Sequence, residues 1–233
     1  MKIALFGITD IKSGKHNLKD PRLDQAHALV EADKLTRAQV EVVGPEELAV
    51  ADVILASAEG KADLILKDLE FVETRLGRDP QPGERAALEQ LKARLESERF
   101  VRDAGLEAAE LQAVAAHSFC TAKPIVVAAP EELQQPEALL LRAFAEGGGI
   151  CFLTVGGKEN RAWPIRQGTT AWEAAASIHS DMQKGFIRAE VISFADFLAA
   201  GGETQAKRAG KLRLETKQYV VQDYDVVNFR FNK

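Results

Sequence analysis

Few stretches of this sequence carry chemistry. The best-spaced phosphate-binding window is TDIKSGKH, residues 9–16, in which Gly14 and Lys15 stand as the Gly-Lys of a phosphate loop. A loop of the form Gly-x-x-x-x-Gly-Lys-Ser/Thr needs its first glycine so that the backbone can fold around phosphate. It needs the lysine to meet the β- and γ-phosphates and the hydroxyl to hold Mg²⁺. Thr9 occupies the first glycine position and His16 the hydroxyl position, and Gly7 lies too far upstream of Gly14 to substitute. A Cβ at the tight turn and an imidazole where Mg²⁺ needs a small hard oxygen both work against the site. Gly14 and Lys15 remain as residual candidates for an anion held by backbone amides, against the simpler reading of an exposed loop.

The other reactive side chains are dispersed. His16, His27, His117 and His179 share no metal-ligand spacing, so no metal is expected. Ser57, Ser118 and Ser180 lack a glycine elbow or a paired base, and no catalytic residue is assigned. Cys120 and His117 can meet as a thiol dyad, but the apolar context of Phe119 favours a buried thiol, as at Cys151. His179, at the end of a predicted helix beside Asp181, reads as a cap. Trp163 and Trp172 flank a GTT turn and read either as a stacking platform for RNA bases or as core. Lys184, Arg188, Lys207, Arg208, Lys211 and Arg213 contact phosphates if they share a face. With Trp163 they form the candidate set for RNA or ribosome contact.

Four short apolar runs, 2–8, 40–43, 52–56 and 124–128, have the length of buried strands, with a helical pattern at Leu23, Ala26, His27 and Val30 after the first. Strands interleaved with helices predict a parallel α/β sheet. Ile65, Leu69, Val72 and Leu76 form one helical stripe and Leu88, Leu91 and Leu95 a second. The breaker GRDPQPGE lies between them, which predicts a helical hairpin, with another helix over 108–117. After the glycines at 147–149 the pattern predicts a strand over 150–155 with its hairpin partner at 161–166. A helix over 170–178 and strands over 186–194, 219–222 and 226–231 follow. The net charge is −5, with a mildly basic C-terminal part on an acidic body. No apolar run approaches a membrane span, and MKIALFGITD lacks the pattern of a signal peptide, so a cytoplasmic protein is expected.

The run RAWPIRQGTTAWEAAASIHSDMQKGFIRAEVISFADF, 161–197, resembles the TGS domain of YchF-type proteins, as does AGKLRLETKQYVVQDYDVVNFRFN, 209–232. Upstream, KDPRLDQAHALVEADKLTRAQVEVV (19–43) is similar to the segment before switch II in that family, and ADLILKDLEFVETRL (62–76) to the start of its helical arm. AKPIVVAAPEE (122–132) is similar to the strand that delivers its base-reading motif. The resemblance covers nearly the whole chain in the family's order. On it, the sequence is identified as a member of the YchF/Obg-like ATPase family with a C-terminal TGS/DUF933-type domain. The resemblance implies a degenerate P-loop G-domain-like α/β remnant at 1–62 and 118–146, with an inserted helical hairpin (coiled-coil arm) at 63–117. A TGS-like β-grasp α+β domain at 147–233 completes it.

Intact relatives bind and hydrolyse ATP or GTP and associate with ribosomes. Here Gly44, followed by Pro45, stands where the family has the Asp of switch II, and Ala129 followed by Pro130 replaces the base-reading Asn. Glu46 and Glu47 read as charges capping a helix N-terminus rather than as switch carboxylates. With the window at 9–16, three parts of a nucleotide site are damaged together. The expectation is therefore a protein that is not an enzyme, uses no cofactor, and works as a ribosome- or RNA-associated adaptor through its TGS domain. The alternative is residual ATP or GTP binding with Mg²⁺, or slow nucleoside triphosphatase activity, through Lys15. A homo-oligomer paired through the helical hairpin is a further reading.

Overall fold

The computed structural model describes residues 1–232. In chain order its elements begin with β1 (Lys2–Phe6), β2 (Gly14–Asn17), α1 (Pro21–Leu29), β3 (Lys34–Thr36), β4 (Gln39–Val43) and β5 (Val53–Ala56). The helices α2 (Ala58–Leu76), α3 (Pro82–Glu96) and α4 (Ala108–Val114) follow, then β6 (Ile125–Val127) and α5 (Pro136–Glu146). The C-terminal part runs β7 (Gly149–Thr154), β8 (Glu159–Arg166), α6 (Ala171–Ile178), α7 (Ser180–Lys184), β9 (Phe186–Ile192), α8 (Phe194–Ala200), α9 (Glu203–Arg208), β10 (Arg213–Glu215) and β11 (Val226–Phe231). No helix among the described residues is long and apolar enough to cross a membrane.

The described residues form two compact units, one of residues 1–15 and 41–147, the other of residues 16–40 and 148–232. The first is built on a sheet of order β2-β4-β1-β5-β6. Its central strands pair in parallel, Ile3 opposite Val42 on one side and Val53 on the other. Parallel strands covered on both faces read as continuous apolar runs, and Ile3, Ala4, Ile54, Leu55 and Ala56 are fully buried. The strands expected over 2–8, 40–43, 52–56 and 124–128 are β1, β4, β5 and β6.

Helices α2 and α3 form the expected hairpin, with Val72, Leu88, Leu91 and Leu95 packed in one apolar cluster. Arg75 closes the hairpin on Glu84 at 2.6 Å, and His117 Nε2 joins the same carboxylate at 2.9 Å. These partners hold the Glu84 carboxyl down at about 2. The return to the sheet is fixed by Asp68, which is 3% exposed. Its carboxylate accepts from the Cys120 and Thr121 backbone N–H groups at 2.9 and 2.7 Å and from Thr121 Oγ1 at 2.7 Å. The chain then enters β6 in register with β5, Leu55 opposite Val126.

The second unit has a six-stranded mixed sheet of order β10-β9-β11-β7-β8-β3. Its core joins Phe152, Ala174, Val191, Val227 and Phe229, with α6 started by a reciprocal Thr170–Glu173 capping box. Three features differ from the sequence expectation. The segment 16–40, expected with residues 1–62, packs with the C-terminal unit, because β3 pairs with β8 (Leu35 opposite Asn160) and Asn160 hydrogen-bonds His27 and the Val30 carbonyl. The strand expected to run to Phe194 stops at Ile192, where Ser193 caps α8. In place of a strand over 219–222 there is an isolated bridge between Thr170 and Val220.

Removal of the Asp68 carboxylate strands buried donors, each worth about 1–3 kcal/mol. With three donors stranded, Asp68→Ala is expected to destabilise the protein by roughly 3 kcal/mol or more, and Asp68→Asn, which keeps one acceptor oxygen, by less. Urea denaturation checks this; equal stability of Asp68→Ala and the parent would show that the arm does not depend on this carboxylate.

Candidate functional site

In a parallel α/β sheet the ligand crevice lies beyond the carboxyl ends of the strands. The connection after β1 is the natural place for phosphate, and Gly7 there has φ +68°. A Cβ at Gly7 would lie 2.5 Å from Ser57 Oγ, so glycine is needed for the close approach of this turn to the start of α2. A phosphate loop then leads straight into a helix whose N–H groups face the anion. Here the chain instead buries Ile8 and Ile11 and enters β2, an edge strand beside β4. Gly14 (φ +128°) has open space around its Cβ position, and Lys15 is exposed on that edge. The next helix begins only at Pro21. Residues 7–16 therefore do not fit a Mg²⁺-nucleotide in the manner of a phosphate loop.

The other two expected gaps are closed by the protein's own groups. After β4, Lys123 Nζ donates to the carbonyls of Leu48, Ala49 and Ala51 at 2.6, 2.5 and 2.9 Å, and burial lowers the pKa of this ammonium from its ordinary value. Glu46 and Glu47 lie in a single 3-10 turn over Pro45–Glu47, as expected of charges at a helix start, and Glu47 also takes Lys2 Nζ at 2.8 Å. After β6, the Ala129 N–H donates to Glu132 Oε2 at 2.8 Å, which keeps the Glu132 carboxyl below the usual carboxylate range, and Arg142 completes the knot with bonds to Glu132 and the Val127 carbonyl.

A cavity of about 600 Å³ remains open at this end of the sheet. Val127, the last residue of β6, and the first turn of α2 border it, and Lys61, Leu66, Leu69, Leu95 and Glu98 supply its walls. The size suits a nucleotide-sized ligand, as does a largely apolar wall with a few polar groups. Its walls come from α2, the end of α3 and β6, so no local pattern in the sequence reveals it.

In the C-terminal unit, Lys184, Arg188 and Arg208 are exposed and have no ion-pair partner among the described residues. Arg188 stands opposite Arg230 in the β9–β11 register. Arg230 bonds to Glu190, which is 8% exposed, and Lys207 Nζ lies 4.0 Å from the same carboxylate while pairing with Glu203 at 2.6 Å. Arg188, Arg230 and Lys207 thus gather on one face. The alternation in VVNFRF was the sequence signal for Arg230, which places Asn228 and Arg230 on the side opposite Val227 and Phe229. Lys211 is committed to Asp196 at 3.0 Å, and Arg213 lies 5.5 Å over the Tyr219 ring. Trp163 is engaged as well, with the Arg161 guanidinium 3.8 Å from its ring centroid, Phe152 stacked beside it and Nε1 donating to Thr154 Oγ1 at 3.0 Å. Trp172 is the indole on the surface, 43% exposed. Cys120 and Cys151 are buried thiols, and burial pushes both up.

The domain profile YchF-GTPase_C, described as a protein of unknown function (DUF933), matches residues 150–232. The ribosome-binding ATPase YchF of Haemophilus influenzae is 34% identical over 232 aligned positions, covering 73% of this chain and 64% of that protein. The chain belongs to the YchF/Obg-like family. The YchF of Bacillus subtilis, also named a ribosome-binding ATPase, is 49% identical over 96 residues, which are 41% of this chain and 26% of that one. The chain therefore spans less than two thirds of the length of these curated relatives. The YchF GTPase of Schizosaccharomyces pombe shares the fold, with a TM-score of 0.76 at 18% identity over 99% of this chain and 97% of that one.

Two expectations are overturned by these relatives. The damaged motifs led to a protein that is not an enzyme and uses no cofactor. The family's named members are instead an ATPase and a GTPase, which points to a nucleotide hydrolase. The motifs are damaged, yet the carboxyl end of the sheet still holds an open cavity.

Because Lys15 lies on an exposed edge strand, Lys15→Ala is expected to leave the affinity for ATP and GTP within about twofold, well under the tenfold step that 1.4 kcal/mol represents. A tenfold or greater loss in a fluorescent-nucleotide titration would return the phosphate to the 9–16 loop.

Proposed function

We propose that this protein is a ribosome-associated, purine-nucleotide-binding member of its family, acting in the cytoplasm as a residual ATP- or GTP-binding protein with slow hydrolysis. The observation that carries the reading is the cavity at the carboxyl ends of β5 and β6, in a chain whose relatives are named ATPases. Nucleotide with Mg²⁺ would sit against the first turn of α2, where helix N–H groups and Lys61 meet negative charge. No hydrolytic step is assigned to a side chain, since residues 7–16 build no phosphate cradle.

The division into an α/β part, a helical arm over 63–117 and a TGS-like β-grasp part from 147 belongs to the same proposal. The capped helix α6 beside a mixed sheet supports the β-grasp reading. Ribosomal RNA is the proposed partner of that part. Arg188 and Arg230, adjacent across two strands, with Lys207 beside them, would meet phosphates, and Lys184 and Arg208, without ion-pair partners among the described residues, extend the set. Arg230, Lys207 and Lys211 already have carboxylate partners, so phosphates would compete with Glu190, Glu203 and Asp196 there, while Lys184, Arg188 and Arg208 would meet them directly.

Two measurements test this. Labelled ATP and GTP are expected to bind the full chain in the micromolar range; no binding up to about 1 mM, the weak end of the usual scale, would remove the nucleotide reading. The protein is also expected to co-sediment with ribosomes at about 50 mM salt and to lose affinity steeply by about 200 mM, with Arg188→Ala/Arg230→Ala lowering the salt slope by about 2. Sedimentation indifferent to both salt and these arginines would contradict the phosphate contact.

A further inference from the structure

The sheet of the C-terminal unit has a strand edge that its own strands do not cover. β7 and β11 run parallel, paired at Val226 opposite Leu153, with the Leu153 N–H on the Asp225 carbonyl at 2.8 Å. β7 then ends at Thr154, and the turn after it is held by the Gly156 N–H on Asn160 Oδ1 at 2.8 Å. β11 continues to Phe231 with β9 along its other edge. Backbone groups of a strand alternate between its two edges. Asp225 faces β7, so Val227 and Phe229 do as well. Past the Val226 pair, the Val227 carbonyl and the Phe229 N–H and carbonyl have no backbone partner among the described residues. Val227 and Phe229 are 2% and 6% exposed. Buried backbone groups are nearly always paired, so a further strand laid here gains hydrogen bonds.

A cleft of about 460 Å³ follows this edge, between β11 and the turn at 155–157. Trp163, Ile178, Met182 and Phe229 make its helix side apolar. Its outer side holds Glu190 and Glu203, which Arg230 and Lys207 already pair. Arg188, opposite Arg230, has no ion-pair partner among the described residues, so three cations face two acids on that rim. We propose that the cleft receives an extended peptide segment of a partner protein, added as a strand to the free edge of β11, in which apolar and acidic side chains alternate. Residues opposite each other on paired strands share a face. Those beside Val227 and Phe229 point toward Ile178 and Met182, and those beside Asn228 and Arg230 toward the basic rim. Main-chain bonds give such strand addition its affinity, and the alternate pockets give its sequence preference. An RNA strand fits less well, because a sugar–phosphate backbone cannot form this ladder. The Trp163 ring is also already covered, by the Arg161 guanidinium 3.8 Å from its centroid and by Phe152 stacked beside it.

The test is fluorescence anisotropy of the full chain with a labelled peptide that alternates valine and glutamate. It is repeated with lysine in place of glutamate, and with N-methyl groups on either the odd or the even amides. The parent peptide is expected to bind at about 1–100 μM. Methylation of the amides that face β11 should weaken binding about tenfold or more, and methylation of the other set about twofold or less. The lysine peptide should bind about tenfold more weakly than the parent. Met182→Trp fills the apolar side from a half-buried position and should weaken the parent peptide about tenfold, with circular dichroism checking the fold. No binding up to about 1 mM, or equal effects of the two methylation patterns, overturns strand addition. Equal binding of the lysine peptide overturns the acidic preference. A single-stranded RNA oligonucleotide whose binding Met182→Trp abolishes, while peptide binding is unchanged, overturns the peptide as occupant and gives the cleft to nucleic acid.

Discussion

The Asp68 carboxylate is the contact on which the first unit depends. A buried acid is tolerated only when its oxygens are satisfied, and here they are satisfied by the residues at which the chain leaves the helical arm and turns toward β6. The consequence reaches the site. With 119–122 fixed, Lys123 is delivered to the three carbonyls that end the β4–β5 link, and β6 is set in register against β5. Val127 then closes one side of the cavity whose other walls are the two arm helices. One hydrogen-bonded acid therefore couples arm, sheet and cavity.

In the second unit the corresponding organiser is Arg22. Its guanidinium bonds to Asp20 and, at 2.7 Å, to Asp223, and lies 3.7 Å from the centroid of the Tyr224 ring. Tyr224 is 2% exposed and holds φ +64°, with its N–H on the Cys151 carbonyl at 2.6 Å. A planar fork on an aromatic face suits arginine and not lysine. This cluster draws a segment from the first forty residues into the C-terminal unit.

Much of the fold was legible because the signals were local. The apolar runs of β1, β4, β5 and β6 are too short for helices, and the stripes through Leu69 and Leu91 have helical spacing. What escaped was non-local. The three-residue strand β3 has no periodicity of its own and exists only because Glu159, Asn160 and Arg161 lie beside it. Phe194 reads as the end of the strand over 186–194, whereas Ser193 caps residues 194–200 into a helix. The phosphate-loop defects were readable residue by residue, since Thr9, His16 and Gly44 are visible in sequence. The cavity was not readable, because its walls are separated by up to seventy positions in the chain. Hence the sequence led to a protein without ligand, where the family points to nucleotide.

Hydrogen–deuterium exchange on the full chain, with and without saturating GTP and Mg²⁺, tests the central claim most directly, because it locates the ligand without relying on turnover. The account predicts slowed exchange in residues 58–69 and 95–100, with residues 7–16 unchanged. Protection confined to residues 7–16 would contradict it, placing the nucleotide on the loop after β1 and not in the cavity beside the helical arm.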